Sequence, residues 1–309
     1  MMNKKALVLL NMGGARSKEE LKTFLINMFN DKNILTMKND KFRSIIASFI
    51  VKSRLDEAWE NYKLLGGQSP LHNLTNELVD SLKEQLSDEY FITTAMRYTK
   101  PRAIEAIEQI KKQNIKDIIL LPLYPQYSTT TTKSSIEEFI ENIDGDFNIT
   151  TIEPFYKNET YNDTICEEIK KVKGDEDDYF LIFSAHGLPQ KIIKKGDPYQ
   201  QQIEEHIAIL KKKLKEKDIT FQGIHLAYQS KVGPMRWLEP SLDYMLSFFK
   251  NKKVIIYPIA FIIDNSETVF ELDIEYRELA QKIGVDSYKV CRCVNNHPNF
   301  IKAIKDIIK

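Results

Sequence analysis

Residues 179–189 read YFLIFSAHGLP, and this stretch decides the fold class. It begins with an apolar run, which is typical of a strand in a parallel sheet buried on both faces. A turn with glycine and proline follows, so His186 is the last polar side chain at the carboxyl edge of that sheet. Ligands of open α/β sheets bind at this edge, and imidazole exchanges protons near neutral pH. The stretch therefore predicts an α/β sheet with a candidate general base.

The apolar runs of the chain occur as matching pairs in the same order. The pairs are residues 6–14 and 180–187, 91–98 and 221–228, and 117–124 and 253–261. Alternation of such runs with helical patterns indicates βα units. We therefore expect two Rossmann-like domains, residues 1–173 and 174–309, that face each other across a cleft. The final amphipathic helix, residues 299–309, is expected to pack on either half.

Composition excludes several classes of protein. The 309 residues include 44 basic and 44 acidic side chains, and no basic cluster indicates a nucleic-acid partner. No apolar run approaches the roughly 20 residues of a membrane span. Residues 1–10 resemble a signal peptide only superficially, because the apolar part is short, and a first core strand is expected there. The three cysteines lack metal or redox spacing, as expected of reduced thiols in a cytoplasmic protein.

A row of carboxylates follows the last strand of the second half. Glu267, Glu271 and Glu275 are four residues apart, and at about 100° per residue they line one stripe of a helix. Either the stripe is a solvated face, or it handles protons or a divalent metal beside His186. The other four histidines have no partner at metal-ligand spacing, so a closed metal cage is not expected.

Two other segments leave alternatives open. Residues 42–54 form an apolar stripe with basic flanks; the helix either packs on its own domain or forms a lip that meets an apolar ligand or a membrane surface. The hydroxyl-rich loop 124–132 either binds a ligand or caps the next helix. Neither a Gly-x-x-x-x-Gly-Lys nor a Gly-x-Gly-x-x-Gly pattern occurs, which disfavours nucleotide cofactors.

Taken together, the motifs resemble those of the ferrochelatases, which insert ferrous iron into a porphyrin to make haem. Any one motif alone is weak evidence, but their order along nearly the whole chain makes the resemblance specific. They are residues 9–14, 66–71, 95–98, 123–128, 184–189, 196–199, 229–238 and 267–276. The resemblance implies two chelatase-type domains, each with a four-stranded parallel sheet flanked by helices, and an active-site cleft between them.

The resemblance also implies roles for individual residues. His186 would bind the metal or deprotonate a pyrrole, with Glu267 as its carboxylate partner and second metal ligand. Glu271 and Glu275 would extend a proton or metal path to the surface. The residues implied near the porphyrin are Met12, Arg97, Tyr98, Tyr124, Tyr127, Ser128, Lys231 and Trp237. The lip of the family corresponds to residues of about 30–65, centred on 42–54.

One position departs from the family pattern. Many ferrochelatases have Asp-His where this chain has Asp264-Asn265, and an asparagine cannot accept a proton at neutral pH. Cluster-containing members have a cysteine-bearing extension, and the last cysteine of this sequence is Cys293, so no iron–sulfur cluster is expected.

Partners and compartment follow from the resemblance. The implied enzyme is a lyase that forms nitrogen–metal bonds, needs no cofactor or iron–sulfur cluster, and takes Fe²⁺ as a substrate. Protoporphyrin IX is the expected ring, with coproporphyrin as the other candidate. We expect no nucleic acid, a monomer or homodimer, and a cytoplasmic protein that associates peripherally with the inner face of the membrane through residues 42–54.

Three other functions are compatible with parts of the sequence. A chelatase that inserts cobalt or nickel would have more histidines at the site. A non-catalytic two-lobed binding protein for an apolar ligand would not need His186 to face an acidic stripe. A nucleotide-dependent oxidoreductase would need the phosphate loop that this sequence lacks.

Overall fold

Eight parallel strands form two separate four-stranded sheets in the computed structural model, which describes residues 4–37, 39–231, 233 and 235–309. The first sheet has the order β2-β1-β3-β4 and the second β6-β5-β7-β8. The strands are β1 (Lys5–Asn11), β2 (Tyr90–Met96), β3 (Asp117–Pro122), β4 (Asn148–Thr151), β5 (Tyr179–His186), β6 (Gly223–Gln229), β7 (Lys253–Pro258) and β8 (Ser287–Val290). This confirms the predicted fold class of two helix-flanked parallel sheets.

The duplication inferred from the apolar runs extends to the hydrogen bonds. In the first sheet, Leu123 N donates to Leu10 O at 2.8 Å, and in the second, Ile259 N donates to Ser184 O at 3.0 Å. A proline pairs with the central strand just before each of these bonds, Pro122 with Leu10 and Pro258 with Ser184. The corresponding strands of the two halves therefore share register as well as order.

Helices connect the strands of both sheets. They are α1 (Lys18–Asn30), α2 (Asp40–Leu64), α3 (Leu71–Leu86), α4 (Ala103–Lys112), α5 (Ser134–Asn142), α6 (Glu159–Lys173), α7 (Gln190–Lys194), α8 (Tyr199–Glu216), α9 (Leu242–Leu246), α10 (Tyr276–Ile283) and α11 (Pro298–Ile307). Two segments are π-helical, Thr129–Lys133 and Glu267–Glu275. Each π-helical segment follows the third strand of its sheet and leads directly into an α-helix, so the duplication includes this unusual feature.

Strands β1 and β5, each of which lies between two other strands of its sheet, contribute buried side chains to the core of their units. Leu7, Leu9, Leu181 and Phe183 are completely buried, because helices cover both faces of a parallel sheet. Truncation of one such side chain to alanine costs about 2–5 kcal/mol of folding stability. These strands are therefore rigid supports for the residues that follow them.

The chain divides into two units at Glu153 and Pro154 rather than at the expected boundary between residues 173 and 174. The second unit also includes Pro125–Tyr127. Helix α6 joins the second unit because it packs against α8 and α11, with the ring of Tyr161 of α6 tilted against that of Phe300 of α11 and the centroids 5.7 Å apart. The last helix thus contacts α6, and both belong to the second unit.

At the amino terminus, β1 begins at Lys5, while Met1–Asn3 of the expected first strand lie outside the described residues. The described helices include none that is long and apolar enough to cross a bilayer.

Candidate active site

His186 is the last residue of β5, as the sequence predicted. Its backbone carbonyl accepts a hydrogen bond from the Tyr199 hydroxyl at 2.9 Å. The next amide, Gly187 N, donates to Gln229 O at 2.8 Å. A Cβ atom at Gly187 would lie 2.6 Å from that carbonyl oxygen, so only glycine fits this close approach of two strand ends. Both sides of the His186 backbone are therefore fixed.

The His186 ring meets the carboxylate of Glu267. Nδ1 and Oε2 are 2.8 Å apart, and the two side chains are 36% and 30% exposed. A carboxylate only accepts hydrogen bonds, so Nδ1 carries the proton and Nε2 of the neutral ring has a free lone pair. Phe261 packs edge-on against the imidazole, with ring centroids 6.5 Å apart. The predicted His–Glu pair is therefore present, with one ring nitrogen available for chemistry.

Opposing effects act on the His186 pKa. Burial lowers it, but the charge and hydrogen bond of Glu267 and the charge of Glu271 outweigh burial, so the pKa is raised above its ordinary value. A raised pKa means that the imidazolium form is stabilised at this position. The site can therefore hold a proton delivered to His186.

Glu271 is held by groups from the end of β6. Ser230 Oγ donates to Glu271 Oε2 at 2.6 Å, and Gln229 Nε2 donates to the same oxygen at 3.2 Å. Burial, and then the charge of Glu267, raise the pKa of Glu271 to about 7. Glu271 can therefore exchange a proton near neutral pH.

The carboxylate row lies on a π-helix rather than on the regular α-helix that the sequence suggested. Glu267 and Glu271 are half-buried, whereas Glu275 is exposed. The wider i→i+5 turn of a π-helix occurs often at functional sites. Because exposure increases from Glu267 and Glu271 to Glu275, the row suits proton transfer from His186 toward solvent. The path itself stays a prediction.

The side chain of Asn265, where the resemblance led us to compare with a histidine, is turned toward its own backbone. Its Oδ1 accepts from Glu267 N at 2.8 Å, and its Nδ2 donates to Ile263 O at 3.1 Å. The neighbouring Asp264 is buried, and its Oδ1 accepts from the Thr268 hydroxyl at 2.9 Å. These residues organise the start of the π-helix.

In the first unit, the ends of β1 and β2 bring Met12, Arg97 and Tyr98 together. Asn11 O accepts from Arg97 N at 2.8 Å, and Met12 O accepts from Tyr98 N at 2.9 Å. Met12 is half-buried. Tyr98 is completely buried, and its hydroxyl donates to Asp31 Oδ2 at 2.8 Å.

Arg97 lies in a partly buried set of charges. Its guanidinium is 2.9 Å from Glu138 and 3.2 Å from Asp31, and its Nε donates to Ser134 Oγ at 2.7 Å. Arg102 also pairs with Glu138. Two arginines and two carboxylates thus balance in charge, and the polar groups of Arg97 already have partners in the protein.

The hydroxyl-rich loop caps the helix that follows it. Ser128 Oγ accepts from Thr130 N at 3.2 Å at the start of the first π-helical segment. The Tyr124 hydroxyl lies 3.1 Å from Ser135 Oγ. Tyr127 N donates to Gln202 Oε1 at 2.7 Å within the second unit. The capping interpretation therefore has direct structural support, and a ligand contact of this loop stays a prediction.

The remaining predicted porphyrin residues follow β6. Lys231 is exposed and Trp237 is half-buried. Trp237 pairs with Pro189 through an antiparallel bridge, and its indole lies beside Gly187, the residue after His186. Val232 and Pro234 of the same motif lie outside the described residues.

Helix α2, which contains the predicted lip, has two different faces. Ala47 and Val51 are buried, and α2 packs along α1. Phe42, Ile45 and Phe49 are 56%, 55% and 71% exposed. One face therefore packs on its own unit, as the first interpretation predicted, while a contact of the exposed face with an apolar ligand or a membrane stays a prediction.

Among the basic residues that flank the apolar stripe of α2, Arg43 differs from Lys41 and Lys52 because its side chain is not exposed. It is buried and donates from Nε to Asn30 O at 2.7 Å. Lys41 and Lys52 are exposed.

His206 and the three cysteines lie in buried environments that indicate structural roles. His206 is fully buried between Gln126 and Asn162, and burial lowers its pKa to about 3. All three cysteines are free and buried. Over the described ranges, no cluster of three or more histidine, cysteine, aspartate or glutamate side chains has metal-binding geometry.

Sequence reasoning did not assign roles to Tyr199, Gln229 and Ser230. Tyr199 and Gln229 stand in motifs that the sequence showed, but nothing in the pattern says which atom each contacts. Ser230 has a left-handed backbone with φ of 65°, which is rare for residues other than glycine and asparagine. No sequence signal predicts it.

Comparisons with known proteins agree on one family. The family model described as ferrochelatase matches residues 4–309. A ferrochelatase of Sulfurimonas denitrificans is 50% identical over 99% of this chain and 98% of its own length. A ferrochelatase of Nitratiruptor sp. is 52% identical over 98% of each chain.

Solved structures share the fold at low identity. SirB from Bacillus subtilis with Fe³⁺ matches with a TM-score of 0.60 and 11% identity, over 99% of this chain and 94% of that chain. CbiX, described as the terminal enzyme for siroheme biosynthesis in denitrifying bacteria, matches with a TM-score of 0.55 and 10% identity, over 98% and 97% of the two chains.

Proposed function

The chain belongs to the ferrochelatase family, and on this premise we propose that it inserts Fe²⁺ into protoporphyrin IX. The reaction forms iron–nitrogen bonds and releases two protons from the pyrrole nitrogens, so the enzyme would be a lyase. The observation that carries the proposal is the 2.8 Å contact between His186 Nδ1 and Glu267 Oε2 at the carboxyl end of β5.

We assign the first proton transfer to His186. With Nδ1–H donated to Glu267, the lone pair on Nε2 accepts a pyrrole proton, and the carboxylate stabilises the imidazolium that results. A base whose pKa lies near the working pH is effective in both taking up and releasing a proton. The raised pKa of His186 supports this role.

Glu271 and Glu275 would carry protons away from His186. Glu271, with a pKa of about 7, exchanges protons readily at neutral pH. Glu275 follows four residues later and is exposed. The imidazole nitrogen of His186 and the carboxylate oxygens of Glu267 also suit Fe²⁺ as ligands. We therefore propose that His186 and Glu267 also form a weak, open site through which the metal passes as a substrate.

The proposed porphyrin contacts are those that the resemblance implied. They are Met12, Arg97, Tyr98, Tyr124, Tyr127, Ser128, Lys231 and Trp237. Among them Met12, Trp237 and Lys231 have exposed surface, which favours a direct contact. Arg97 and Tyr98, whose polar groups have protein partners, would support neighbouring residues.

We propose no cofactor and no iron–sulfur cluster. Clusters are bound by thiolates, and burial raises the pKa of the Cys166 thiol to about 11. The exposed apolar face of α2 would dock on the inner face of the membrane, which is where an apolar ring is available to a cytoplasmic enzyme. Phe42, Ile45 and Phe49 would insert, while Lys41 and Lys52 would pair with anionic lipid. The enzyme would act as a monomer or homodimer.

An anaerobic insertion assay tests the proposal. Purified protein is mixed with Fe²⁺ and protoporphyrin IX, and the metalloporphyrin absorbance is followed. We expect catalytic turnover, faster than with coproporphyrin and faster than with Co²⁺ or Ni²⁺. Faster turnover with coproporphyrin, Co²⁺ or Ni²⁺ would show that the proposed substrate is wrong. Absence of turnover with every combination of ring and metal would refute the proposed activity.

A further inference from the structure

Asn265 precedes Glu267 by two residues and contacts it directly. The only acceptor atom of its side chain, Oδ1, already binds Glu267 N at 2.8 Å. The amide nitrogen of the same side chain donates to Ile263 O at 3.1 Å. The carboxamide therefore bridges the end of the loop and the first residue of the π-helix.

The backbone of Asn265 is fixed as well. Asn265 N donates to the Thr268 hydroxyl oxygen at 3.0 Å, and Asn265 O accepts from Val269 N at 3.0 Å. Asp264, which accepts from Thr268, also accepts from Asn295 Nδ2 at 2.9 Å through Oδ2. The turn is thus anchored to the segment that follows β8.

This turn determines where the carboxylate of Glu267 can reach. The first N–H groups of a helix have no acceptor within the helix, and an asparagine side chain two residues earlier supplies one by forming an Asx-turn. Without that bond, the Glu267 backbone can rotate, and a shift of about 1 Å is enough to break the contact with His186.

We propose that Asn265 is a positioning residue, which holds the Glu267 backbone so that its carboxylate meets His186 Nδ1. The proposal rests on the proposed function, because it assigns Asn265 to the same reaction. It also gives position 265 a role that differs from proton transfer, since a carboxamide does not titrate.

Three variants test this role. Asn265→Ala removes the acceptor, whereas Asn265→Ser retains a hydroxyl acceptor that forms the same type of turn more weakly. Asn158→Ala is the matched control, because Asn158 Oδ1 accepts from Tyr161 N at 2.9 Å at the start of α6 in the same unit. Both alanine variants lose a bond in which an asparagine Oδ1 accepts from a backbone N–H at a helix start; Asn265→Ala also loses the bond from Nδ2 to Ile263 O.

We expect Asn265→Ala to lower kcat by about ten-fold to a hundred-fold, with KM for the porphyrin changed by less than about two-fold, since uniform binding is retained. Asn265→Ser should recover a large part of kcat. Asn158→Ala should lower the melting temperature by about as much as Asn265→Ala does, but it should leave kcat unchanged. A kcat of Asn265→Ala equal to that of the wild type, or no recovery in Asn265→Ser, would overturn the inference.

Amide hydrogen exchange supplies a readout that does not depend on turnover. The Glu267 amide should exchange faster in Asn265→Ala than in the wild type and at an intermediate rate in Asn265→Ser. Unchanged exchange would overturn the inference even if the enzyme is active. A wild-type protein without turnover but with the expected exchange pattern would refute the proposed reaction and support the Asn265–Glu267 bond.

Discussion

Glu267 Oε2 lies 2.8 Å from His186 Nδ1, although the two residues are 81 positions apart in the chain. They meet because β5 and β7 are neighbours in a parallel sheet, so that the segments following both strands lie at the same edge. The pair combines a base with a charge that stabilises its protonated form.

Glu267→Gln should move the pH dependence of insertion. Glutamine retains an acceptor oxygen but removes the negative charge, so the His186 pKa falls. As His186 must be neutral to accept a proton, the acidic limb of kcat/KM should shift to lower pH, and kcat at neutral pH should fall about ten-fold or more. Steady-state rates between pH 5 and 9 measure both effects. An acidic limb at the wild-type pH would contradict the pairing.

Glu271→Gln should change how stability depends on pH. The folded pKa of Glu271 is about 7, above its ordinary value of 4.5, so the folded state retains a proton that the unfolded state loses between those values. Wild-type stability therefore decreases as pH rises through this window. Glutamine mimics the protonated form and removes the loss, on the order of 1–3 kcal/mol. Urea unfolding at pH 5 and pH 8 measures it; equal pH dependence in both proteins would refute the raised pKa.

Tyr199→Phe should impair catalysis more than stability. The variant removes the hydroxyl bond to His186 O, which costs about 1 kcal/mol of stability, and it lets the His186 backbone move. We expect kcat to fall several-fold with little change in KM. Tyr179→Phe is the control, because it removes a partly buried hydroxyl contact to Ser287 at the opposite end of the same strand. Equal kcat values for the two variants would exclude a specific role for Tyr199.

The local sequence signals predicted the two parallel sheets. Buried strands such as residues 179–186 are apolar runs that a linear pattern shows directly, and their repeated order predicted the duplicated topology. The strand order needs only periodicity and the geometry of parallel sheets. The residues alone left open whether the carboxylate row is a solvated face, and the contact of Glu267 with His186 was implied by the family resemblance.

Other features depend on contacts that are distant in sequence. The unit boundary differed from the prediction because an amphipathic helix such as α6 does not show which neighbour it packs on. His206 lies on a helix that reads as polar, yet Gln126 and Asn162 satisfy its ring in the core. The π-helix and the left-handed Ser230 are joined by the hydrogen bond from Ser230 Oγ to Glu271 Oε2, a contact that residue types alone do not specify.

Phe49→Ser should weaken membrane association. Phe49 is 71% exposed, so its replacement should change stability by no more than about 0.5 kcal/mol. Loss of its apolar surface should reduce binding to anionic phospholipid vesicles in a flotation assay. Phe248→Ser is the control, since Phe248 is 56% exposed and lies elsewhere, after α9. Equal vesicle binding by Phe49→Ser and the wild type would exclude α2 as the docking face.

The central claim is that His186 accepts the pyrrole proton, and kcat of His186→Ala under anaerobic conditions, with saturating Fe²⁺ and protoporphyrin IX, tests it most directly. We predict a fall of at least about a hundred-fold relative to the wild type, while porphyrin still binds and the folded structure is retained. Turnover by His186→Ala at the wild-type rate would contradict the claim.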